Sequence, residues 1–299
     1  MKKNFLIYGY GNIGKKHHRL LKKYTNSNIY IISARKNKNF FLPKELSKLK
    51  FVKFQLIIIV NDTNLHLPTL IKIRKYFKST PVLVEKPLLI SNKINHINKN
   101  IFINFNLRLH PLIKKLKTLV NKDKFFYCNI TCFSFLPTWR KKNYKHFYSS
   151  SAKRGGGVLY DLSHEFDLMN FLFGKYKVTH SVNKKISNLS INSDDYVQAE
   201  GQFYKKSKYF NITLSYFSRI QKREIYLEGK NISIHACLLN NRITIINNKK
   251  KKILNFQKFN LETTFEDTYK CILNKKSHLL CNIDDSVFLT NIFKTIKGK

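Results

Sequence analysis

The stretch "NFLIYGYGNIGKKHHRLLKKY", residues 4–24, decides the fold of the N-terminal part of the chain. An apolar run leads into Gly9, Gly11 and Gly14, which have G-x-G-x-x-G spacing, and a helix-like stretch follows. In that context the first glycine permits a tight turn, the second lets the backbone approach a pyrophosphate, and the third lets the helix pack close to the strand. The helix N-terminus then faces the anion. The stretch therefore predicts a dinucleotide-binding turn; the alternative is a glycine turn without a ligand.

The apolar runs that follow extend this unit into a parallel sheet. Short buried-type strands alternate with helix-like stretches at 14–24 and 65–77, an order that indicates a parallel sheet with helices on both faces. We therefore expect a Rossmann parallel sheet in residues 1–119. The predicted strands are 4–11, 28–35, 54–62, 81–87 and 100–111.

The texture changes after residue 120, where strand-like runs such as "FFYCNITCFSF" and "YFNITLSYFS" are joined by short turns. This pattern predicts a C-terminal α/β domain, residues 120–299, with a largely antiparallel open sheet. One helix is expected at about 160–173, ending at Gly174. Two further helices are expected near 264–275 and 284–297.

The second predicted strand ends in Ser33, Ala34 and Arg35, with no carboxylate nearby. A carboxylate there would accept hydrogen bonds from the ribose hydroxyls of NAD, whereas a guanidinium accommodates the 2′-phosphate of NADP. We therefore expect NADP in preference to NAD. Alternatively, Arg35 is an exposed loop cation, or it stacks on adenine with either cofactor.

Composition gives a formal net charge of +39, from 56 basic and 17 acidic residues. Such a charge suits nucleic acid or an anionic membrane. The excess is mostly Lys, however, and Asn, Ile, Phe and Tyr are also abundant, as an AT-rich genome would produce. No nucleic-acid-binding motif is recognisable, so codon bias is the favoured explanation.

Cysteine usage and hydropathy indicate a cytoplasmic protein. The five cysteines have no paired or metal-like spacing, which predicts free thiols and no metal. The longest apolar run, "LIIIV" at 56–60, has the length of a strand and falls far short of a membrane span.

The stretch "VLVEKPL", residues 82–88, places Glu85, Lys86 and Pro87 at the end of a predicted strand. Ligands of open parallel sheets bind beyond the carboxyl ends of the strands. A lysine there can hydrogen-bond a reacting hydroxyl or stabilise negative charge on its oxygen. Pro87 would fix the lysine in one orientation through its restricted φ or a cis peptide. The alternative is an ordinary surface lysine in a lysine-rich chain.

Residues 154–174, "RGGGVLYDLSHEFDLMNFLFG", gather Asp161, Glu165 and Asp167 around His164. On one helix, residues three apart share a face, so Asp161 would orient the imidazole and favour its charged form. Asp167 lies on the same face, and Glu165 is expected in a structural ion pair with a lysine. The alternative for His164 is a hydrogen-bonded interdomain histidine. The glycines at 155–157 would let the chain pass close to a ligand.

Five segments taken in order resemble the Gfo/Idh/MocA family of NAD(P)-dependent oxidoreductases. They are "GYGNIG", "NDTNLHLPTL" (61–70), "VLVEKPL", "NFNLRLHP" (104–111) and "GGGVLYDLSHEFDLMNFLFG". Residues 135–157 are further similar to members associated with surface-sugar and polysaccharide biosynthesis. The resemblance implies hydride transfer between the cofactor and a carbon of a sugar, nucleotide-sugar or polyol. It also implies a homo-oligomer, a dimer or tetramer, formed through the open sheet.

The resemblance assigns catalytic roles to Lys86, His164 and Asp161. Many members place three residues between this Asp and His, whereas two intervene here, so either Asp161 or Asp167 could be the partner of His164. A non-catalytic nucleotide-binding or nucleotide-sugar-binding protein, acting as a sensor or assembly factor, is the alternative function.

The expected binding residues fall into two sets. The cofactor set is Gly9, Gly11, Asn12, Ile13, Gly14, Ser33, Arg35, Asn61, His66, Glu85 and Lys86. The substrate set is Asn106, Arg108, Trp139 and Asp167. For Asn106 and Arg108 the alternative is a polar contact between domains, and for Trp139 it is core packing.

Overall fold

The computed structural model describes residues 2–24, 26–35, 37–90, 100–141, 143–204, 208–257 and 259–298. In chain order the helices are α1 (Asn12–Tyr24), α2 (His66–Tyr76), α3 (Pro111–Val120), α4 (Val158–Asp161), α5 (His164–Phe173), α6 (Glu262–Leu273) and α7 (Ile283–Ile296). The strands are β1 (Lys3–Tyr8), β2 (Ser27–Ile32), β3 (Leu56–Ile59), β4 (Val82–Val84), β5 (Ile101–Ile103), β6 (Phe125–Phe135), β7 (Tyr176–Lys184), β8 (Tyr196–Phe203), β9 (Tyr209–Ser215), β10 (Phe217–Gly229), β11 (Ser233–Cys237), β12 (Arg242–Ile246) and β13 (Lys251–Asn255).

The chain divides into two compact units. Unit 1 comprises Met1–Leu109 and Asn260–Thr290, and unit 2 comprises His110–Phe259 and Asn291–Lys299. This division differs from the expected boundary at 119/120 in two ways, because the first segment of unit 1 ends at Leu109 and because residues 260–290 also belong to unit 1. Tyr269 and Ile272 of α6 belong to the same apolar cluster as Phe5 of β1 and Leu20 of α1, so α6 completes the core of unit 1.

Unit 1 is built on a parallel sheet with strand order β2-β1-β3-β4-β5. Strands β3 and β4, "LIII" and "VLV", are buried along their whole length. Continuous β-branched and aliphatic runs are typical of parallel strands that are covered on both faces. The order reverses between β1 and β3, and ligands of such sheets bind at this switch point.

Unit 2 is built on an eight-stranded sheet with order β13-β12-β11-β10-β6-β9-β8-β7. All neighbouring pairs are antiparallel except β6 and β9, which are parallel. Helix α5 is buried along most of its length. The parallel sheet of unit 1 and the largely antiparallel sheet of unit 2 confirm the predicted α/β class.

The predicted helix at 160–173 is interrupted, and this corrects the expectation that Asp161 and His164 share one helix. Leu162 has φ −98° and ψ 27°, which ends α4 at Asp161, and α5 begins at His164. The two residues therefore lie on consecutive helical segments. Helix α5 ends at Gly174, φ +88°, as predicted.

No helix in the described part of the chain is both long and apolar enough to cross a membrane.

Candidate active site

The glycine turn has the geometry that its spacing predicts. Gly9 has φ +111°, and a Cβ on it would lie 2.8 Å from the backbone of Val60 and Asn61 at the end of β3. A Cβ on Gly14 would collide with the carbonyl oxygen of Gly9, whereas one on Gly11 would have no atom within 4 Å. Open space at Gly11 is what a pyrophosphate requires if the backbone is to approach it.

Helix α1 begins immediately beyond this open space, at Asn12 and Ile13, and its first turn contains no acidic residue. Free N–H groups at a helix N-terminus attract anions. The predicted cofactor residues Gly9, Gly11, Asn12, Ile13 and Gly14 therefore form a turn and helix start with open space at Gly11 and no acidic side chain in the first turn, an arrangement that favours an anion.

Ser33 and Arg35, predicted to contact the adenosine end of the cofactor, follow β2 directly. Ser33 is buried, and its Oγ accepts a hydrogen bond of 3.1 Å from the backbone N–H of Arg35. The Arg35 side chain is exposed. Ser33 thus stabilises the backbone of the turn that carries Arg35.

His66 is not positioned as a cofactor ligand, contrary to the expectation from the sequence. Its side chain is 2% exposed. Nδ1 lies 2.9 Å from the carbonyl oxygen of Pro87 and Nε2 lies 3.0 Å from that of Asn61. Burial lowers the pKa of the imidazole, although both carbonyls oppose this effect. His66 therefore connects the ends of β3 and β4, while Asn61 donates through Nδ2 to Thr69 at 2.7 Å.

Glu85, Lys86 and Pro87 form the turn that follows β4, which we call the Lys86 turn, and its Lys86–Pro87 peptide is cis. Glu85 directs its carboxylate into unit 1. Oε1 accepts from Nδ2 of Asn104 at 2.6 Å and lies 3.0 Å from Nε2 of His17. The Glu85 side chain, predicted to contact the cofactor, makes internal hydrogen bonds instead, and both Glu85 and Lys86 are partly exposed.

Asn106 and Arg108 also have partners within unit 1. Nδ2 of Asn106 donates to Oγ1 of Thr264 at 2.6 Å, and Nη1 of Arg108 donates to Oδ2 of Asp285 at 3.0 Å. Both residues are buried. These contacts attach the returning segment 260–290 to the N-terminal part of unit 1, which favours a structural role over substrate binding.

In unit 2 the glycine segment 155–157 leaves space for the side chain of Asp194, a residue that the sequence analysis did not identify. Gly157 has φ +120°, and a Cβ on it would collide with the side chain of Asp194. Oδ2 of Asp194 accepts from the backbone N–H of Leu159 at 2.9 Å, and Oδ1 lies 3.5 Å from Nζ of Lys297. Asp194 therefore caps α4, since Gly157 at the N-cap has no side chain to do so.

Asp161 is bound by two tyrosines. Its Oδ1 accepts the hydroxyl hydrogen of Tyr148 and its Oδ2 that of Tyr216, and the residue is 7% exposed. Burial and the Asp161 charge raise the pKa of both phenols well above the usual value, so they remain protonated donors. Trp139 packs edge-on against Tyr216, with ring centroids 5.2 Å apart. The predicted Trp139 and Asp161 thus belong to one cluster.

The remaining residues of the predicted acid cluster are separated by the start of α5. His164 is its first residue and is half-buried. Glu165 forms an ion pair with Arg223 at 2.7 Å, so the structural ion pair is present but its partner is an arginine. Asp167 is buried at 1% exposure. The predicted catalytic residues therefore come from both units, with Lys86 on unit 1 and Asp161 and His164 on unit 2.

His17, Tyr148, Asp194 and Tyr216 are among the residues of these networks that sequence reasoning did not identify. For His17 a signal exists, because it follows Gly14 by three residues and so lies on the same helix face. For the others no local signal exists, since each is brought to its partner by the fold across 13 to 55 residues. They are Tyr148, Asp194 and Tyr216.

Comparison with known proteins gives a family match for part of the chain. Residues 124–254 match the family described as the oxidoreductase family, C-terminal alpha/beta domain. Among curated proteins none matches the sequence significantly. The match covers the sheet of unit 2 and agrees with the family resemblance of the N-terminal motifs.

Solved structures of oxidoreductases share the fold over the whole chain. UDP-N-acetylglucosamine 3-dehydrogenase GnnA from Acidithiobacillus ferrooxidans has a TM-score of 0.77 and 14% identity, covering 100% of this chain and 97% of that one. A levoglucosan dehydrogenase in complex with NADH has a TM-score of 0.81 and 13% identity, with 100% and 96% covered. An oxidoreductase from Thermotoga maritima has a TM-score of 0.77 and 17% identity, with 99% and 96% covered. Identities this low establish a common fold.

Replacing Gly157 with alanine should cost more stability than replacing Gly174 with alanine. Both glycines have positive φ, so each substitution introduces backbone strain of about 1–3 kcal/mol. A Cβ at 157 also displaces Asp194, whereas one at 174 meets no atom within 4 Å. We expect Gly157→Ala to lose at least about 1 kcal/mol more, which is the usual value of a helix cap. Equal losses in urea unfolding would contradict the capping role of Asp194.

Removing the Tyr216 hydroxyl should destabilise unit 2 and alter tryptophan fluorescence. Tyr216→Phe leaves Oδ2 of Asp161 without this donor, at a cost of about 1–3 kcal/mol. Because Trp139 is the only tryptophan and contacts Tyr216, its emission reports this cluster directly. The matched control is Tyr226→Phe, at an exposed ring of β10, which should change the free energy of unfolding by less than about 0.5 kcal/mol. An unchanged emission spectrum in Tyr216→Phe would contradict the proposed packing.

Proposed function

We propose that this protein is a nicotinamide-dependent dehydrogenase or reductase that acts on a CH–OH carbon of a sugar, nucleotide-sugar or polyol. The observation that carries the proposal is the placement of two sites at one edge of the parallel sheet. The glycine turn follows β1 and the Lys86 turn follows β4, with only β3 between them. Two strand spacings separate them by about 10 Å, a distance that an extended dinucleotide spans.

The cofactor would be held by groups of unit 1. The N–H groups at the start of α1 would bind the pyrophosphate, with Gly11 allowing the close approach. Ser33 and Arg35 would contact the adenosine ribose, and the guanidinium favours the 2′-phosphate of NADP. The dehydrogenase in complex with NADH supports a nicotinamide cofactor, and the preference for NADP rests on Arg35 and the missing carboxylate alone.

When bound, the nicotinamide accepts or donates the hydride. In the oxidative direction the substrate carbon loses a hydride and its hydroxyl loses a proton, which leaves a ketone. Lys86 and His164 are the residues we assign to that proton, because an amine and an imidazole are both groups that can donate a hydrogen bond to a reacting oxygen or exchange a proton with it. Asp161, bound by Tyr148 and Tyr216, is the carboxylate that we assign to His164 within unit 2.

The sugar class is supported from two sides. GnnA acts on UDP-N-acetylglucosamine by its name, and the other named relative acts on levoglucosan. Residues 135–157, which include Trp139, resemble the members that modify surface sugars. We therefore place the reaction in the biosynthesis of surface polysaccharides or glycans, carried out by a cytoplasmic homo-oligomer.

Substitution of Arg35 tests the cofactor assignment. In a fluorescence titration, Arg35→Ala should weaken NADPH binding about 10-fold, the value of one charge-assisted contact, and NADH binding less than about 2-fold. Arg242→Ala, on the sheet of unit 2, is the matched control and should leave both affinities unchanged. Tighter binding of NADH than NADPH by the unaltered protein would exclude the NADP preference.

Substitution of the two proton-transfer residues tests the activity. The panel contains UDP-N-acetylglucosamine, levoglucosan and other sugars and sugar nucleotides, with NAD⁺ or NADP⁺, and reduced cofactor is followed at its absorbance band. Lys86→Ala and His164→Ala should each lower kcat by about 10²–10⁴-fold while cofactor binding persists. Cofactor binding without turnover of any sugar would instead favour a nucleotide-binding sensor.

A further inference from the structure

His17 is a fully buried imidazole on α1, the helix that follows the glycine turn, at 0% exposure. Its Nδ1 lies 2.6 Å from the hydroxyl of Tyr269 on α6, and its Nε2 lies 3.0 Å from Oε1 of Glu85 in the Lys86 turn. An ionised carboxylate only accepts hydrogen bonds, so Nε2 carries the hydrogen that Glu85 receives. We call the Tyr269–His17–Glu85 arrangement the histidine bridge.

The bridge connects the two cofactor-edge elements of unit 1. Helix α1 presents its N-terminus beside Gly11, and the Lys86 turn lies two strands away in the same sheet. The backbone N–H of Lys86 lies 3.3 Å from Oε2 of Glu85, the carboxylate that His17 holds. On the other side of Lys86, the Pro87 carbonyl is bound by His66. The residue before Lys86 and the residue after it are therefore each fixed by a buried histidine.

His17 and its neighbour His18 differ in burial, and only His17 is fully buried. His18 is only half-buried, and its Nδ1 pairs with the hydroxyl of Tyr10 at 2.7 Å. Burying an imidazole is costly unless its nitrogens are hydrogen-bonded. His17 meets this condition only through partners on two other elements, so its burial requires that α1, α6 and the Lys86 turn keep this arrangement.

We propose that His17 is a positioning residue for Lys86, acting through the carboxylate of Glu85. The proposal rests on the dehydrogenase function proposed above. In it, His17 contacts neither substrate nor cofactor, and it sets the orientation from which Lys86 meets the reacting oxygen.

The charges around Glu85 give the bridge a pH dependence. Glu85 is faced by His17 from α1, His66 from α2, Tyr269 from α6, Asn104 beyond β5, and Lys86 in its own turn. Burial acts to raise the pKa of Glu85, but His17, Asn104 and Lys86 outweigh it and hold that pKa below its usual value. The order that ionised Glu85 provides is thus present at neutral pH and is lost as the pH falls through the lowered pKa. Without His17 one of the groups that lower the pKa of Glu85 is missing, so the loss begins at higher pH.

The test compares His17→Asn with His17→Gln. A glutamine amide reaches the position of Nε2 and can still donate to Glu85, whereas an asparagine amide reaches only the position of Nδ1. His278→Asn, on an exposed turn of unit 1, is the matched control. Hydrogen exchange measured by mass spectrometry on residues 82–90 reports the order of the Lys86 turn without any substrate. Melting temperature and NADPH binding confirm that each variant is folded.

We expect amide exchange in residues 82–90 to be about 10-fold faster in His17→Asn, since local opening becomes easier, and within about 2-fold of the unaltered protein in the other two variants. With a sugar from the panel, kcat should fall about 10-fold or more in His17→Asn while KM changes little. The acid limb of its kcat profile should move to higher pH, because the pKa of Glu85 rises when His17 no longer lowers it. Glutamine should restore most of both values.

The outcomes separate this inference from the proposed function. Unchanged exchange in His17→Asn overturns the bridge, whatever the activity. Faster exchange with unchanged kcat and pH profile overturns the positioning role and leaves His17 a structural residue. Absence of turnover in the unaltered protein refutes the dehydrogenase, and the exchange result alone then decides whether His17 orders the Lys86 turn.

Discussion

The close approach of Gly9 to the end of β3 is the constraint on which unit 1 depends. No side chain fits between Gly9 and the backbone of Val60 and Asn61. This contact fixes where β1 stops and α1 starts, at the point where the strand order of the sheet reverses. The start of α1 sets the direction of the helix. His17 lies on that helix and is buried, where it hydrogen-bonds Glu85. The close packing at Gly9 is therefore connected, through α1 and His17, to the turn that contains Lys86.

Three acids fix the backbone and side chains of unit 2 in a comparable way, and most of their partners are not lysines. Asp161 binds two phenols and Glu165 binds an arginine, while Asp194 binds a backbone N–H and also lies 3.5 Å from Lys297. Lysine is a strongly hydrated point charge and is costly to bury, whereas phenols, guanidinium groups and amides give up water more readily. A chain with a formal net charge of +39 therefore leaves most of its lysines outside these networks.

The sequence predicts those features that depend on neighbouring residues. Apolar runs indicate the strands of unit 1, and glycine spacing indicates the turn before α1, because each is decided within about ten residues. The break between Asp161 and His164 is not predictable in this way, since the carboxylate is held by Tyr216, 55 residues away. The position of segment 260–290 is not predictable locally either. Its Thr264 and Asp285 are hydrogen-bonded to Asn106 and Arg108, which lie 158 and 177 residues away in the sequence.

The roles of the acids in residues 161–167 are determined by partners that are distant in the sequence. Spacing alone suggests a carboxylate that orients His164 from one turn away on a common helix. In the structure, Asp161 instead accepts hydrogen bonds from Tyr148 and Tyr216. Glu165 pairs with Arg223, and His164 begins a new helix. Asp161 and Glu165 thereby fix different parts of unit 2 around the start of α5. His164 consequently begins a helix whose first turn is held in place through Glu165 and Arg223, and whose preceding segment is held through Asp161.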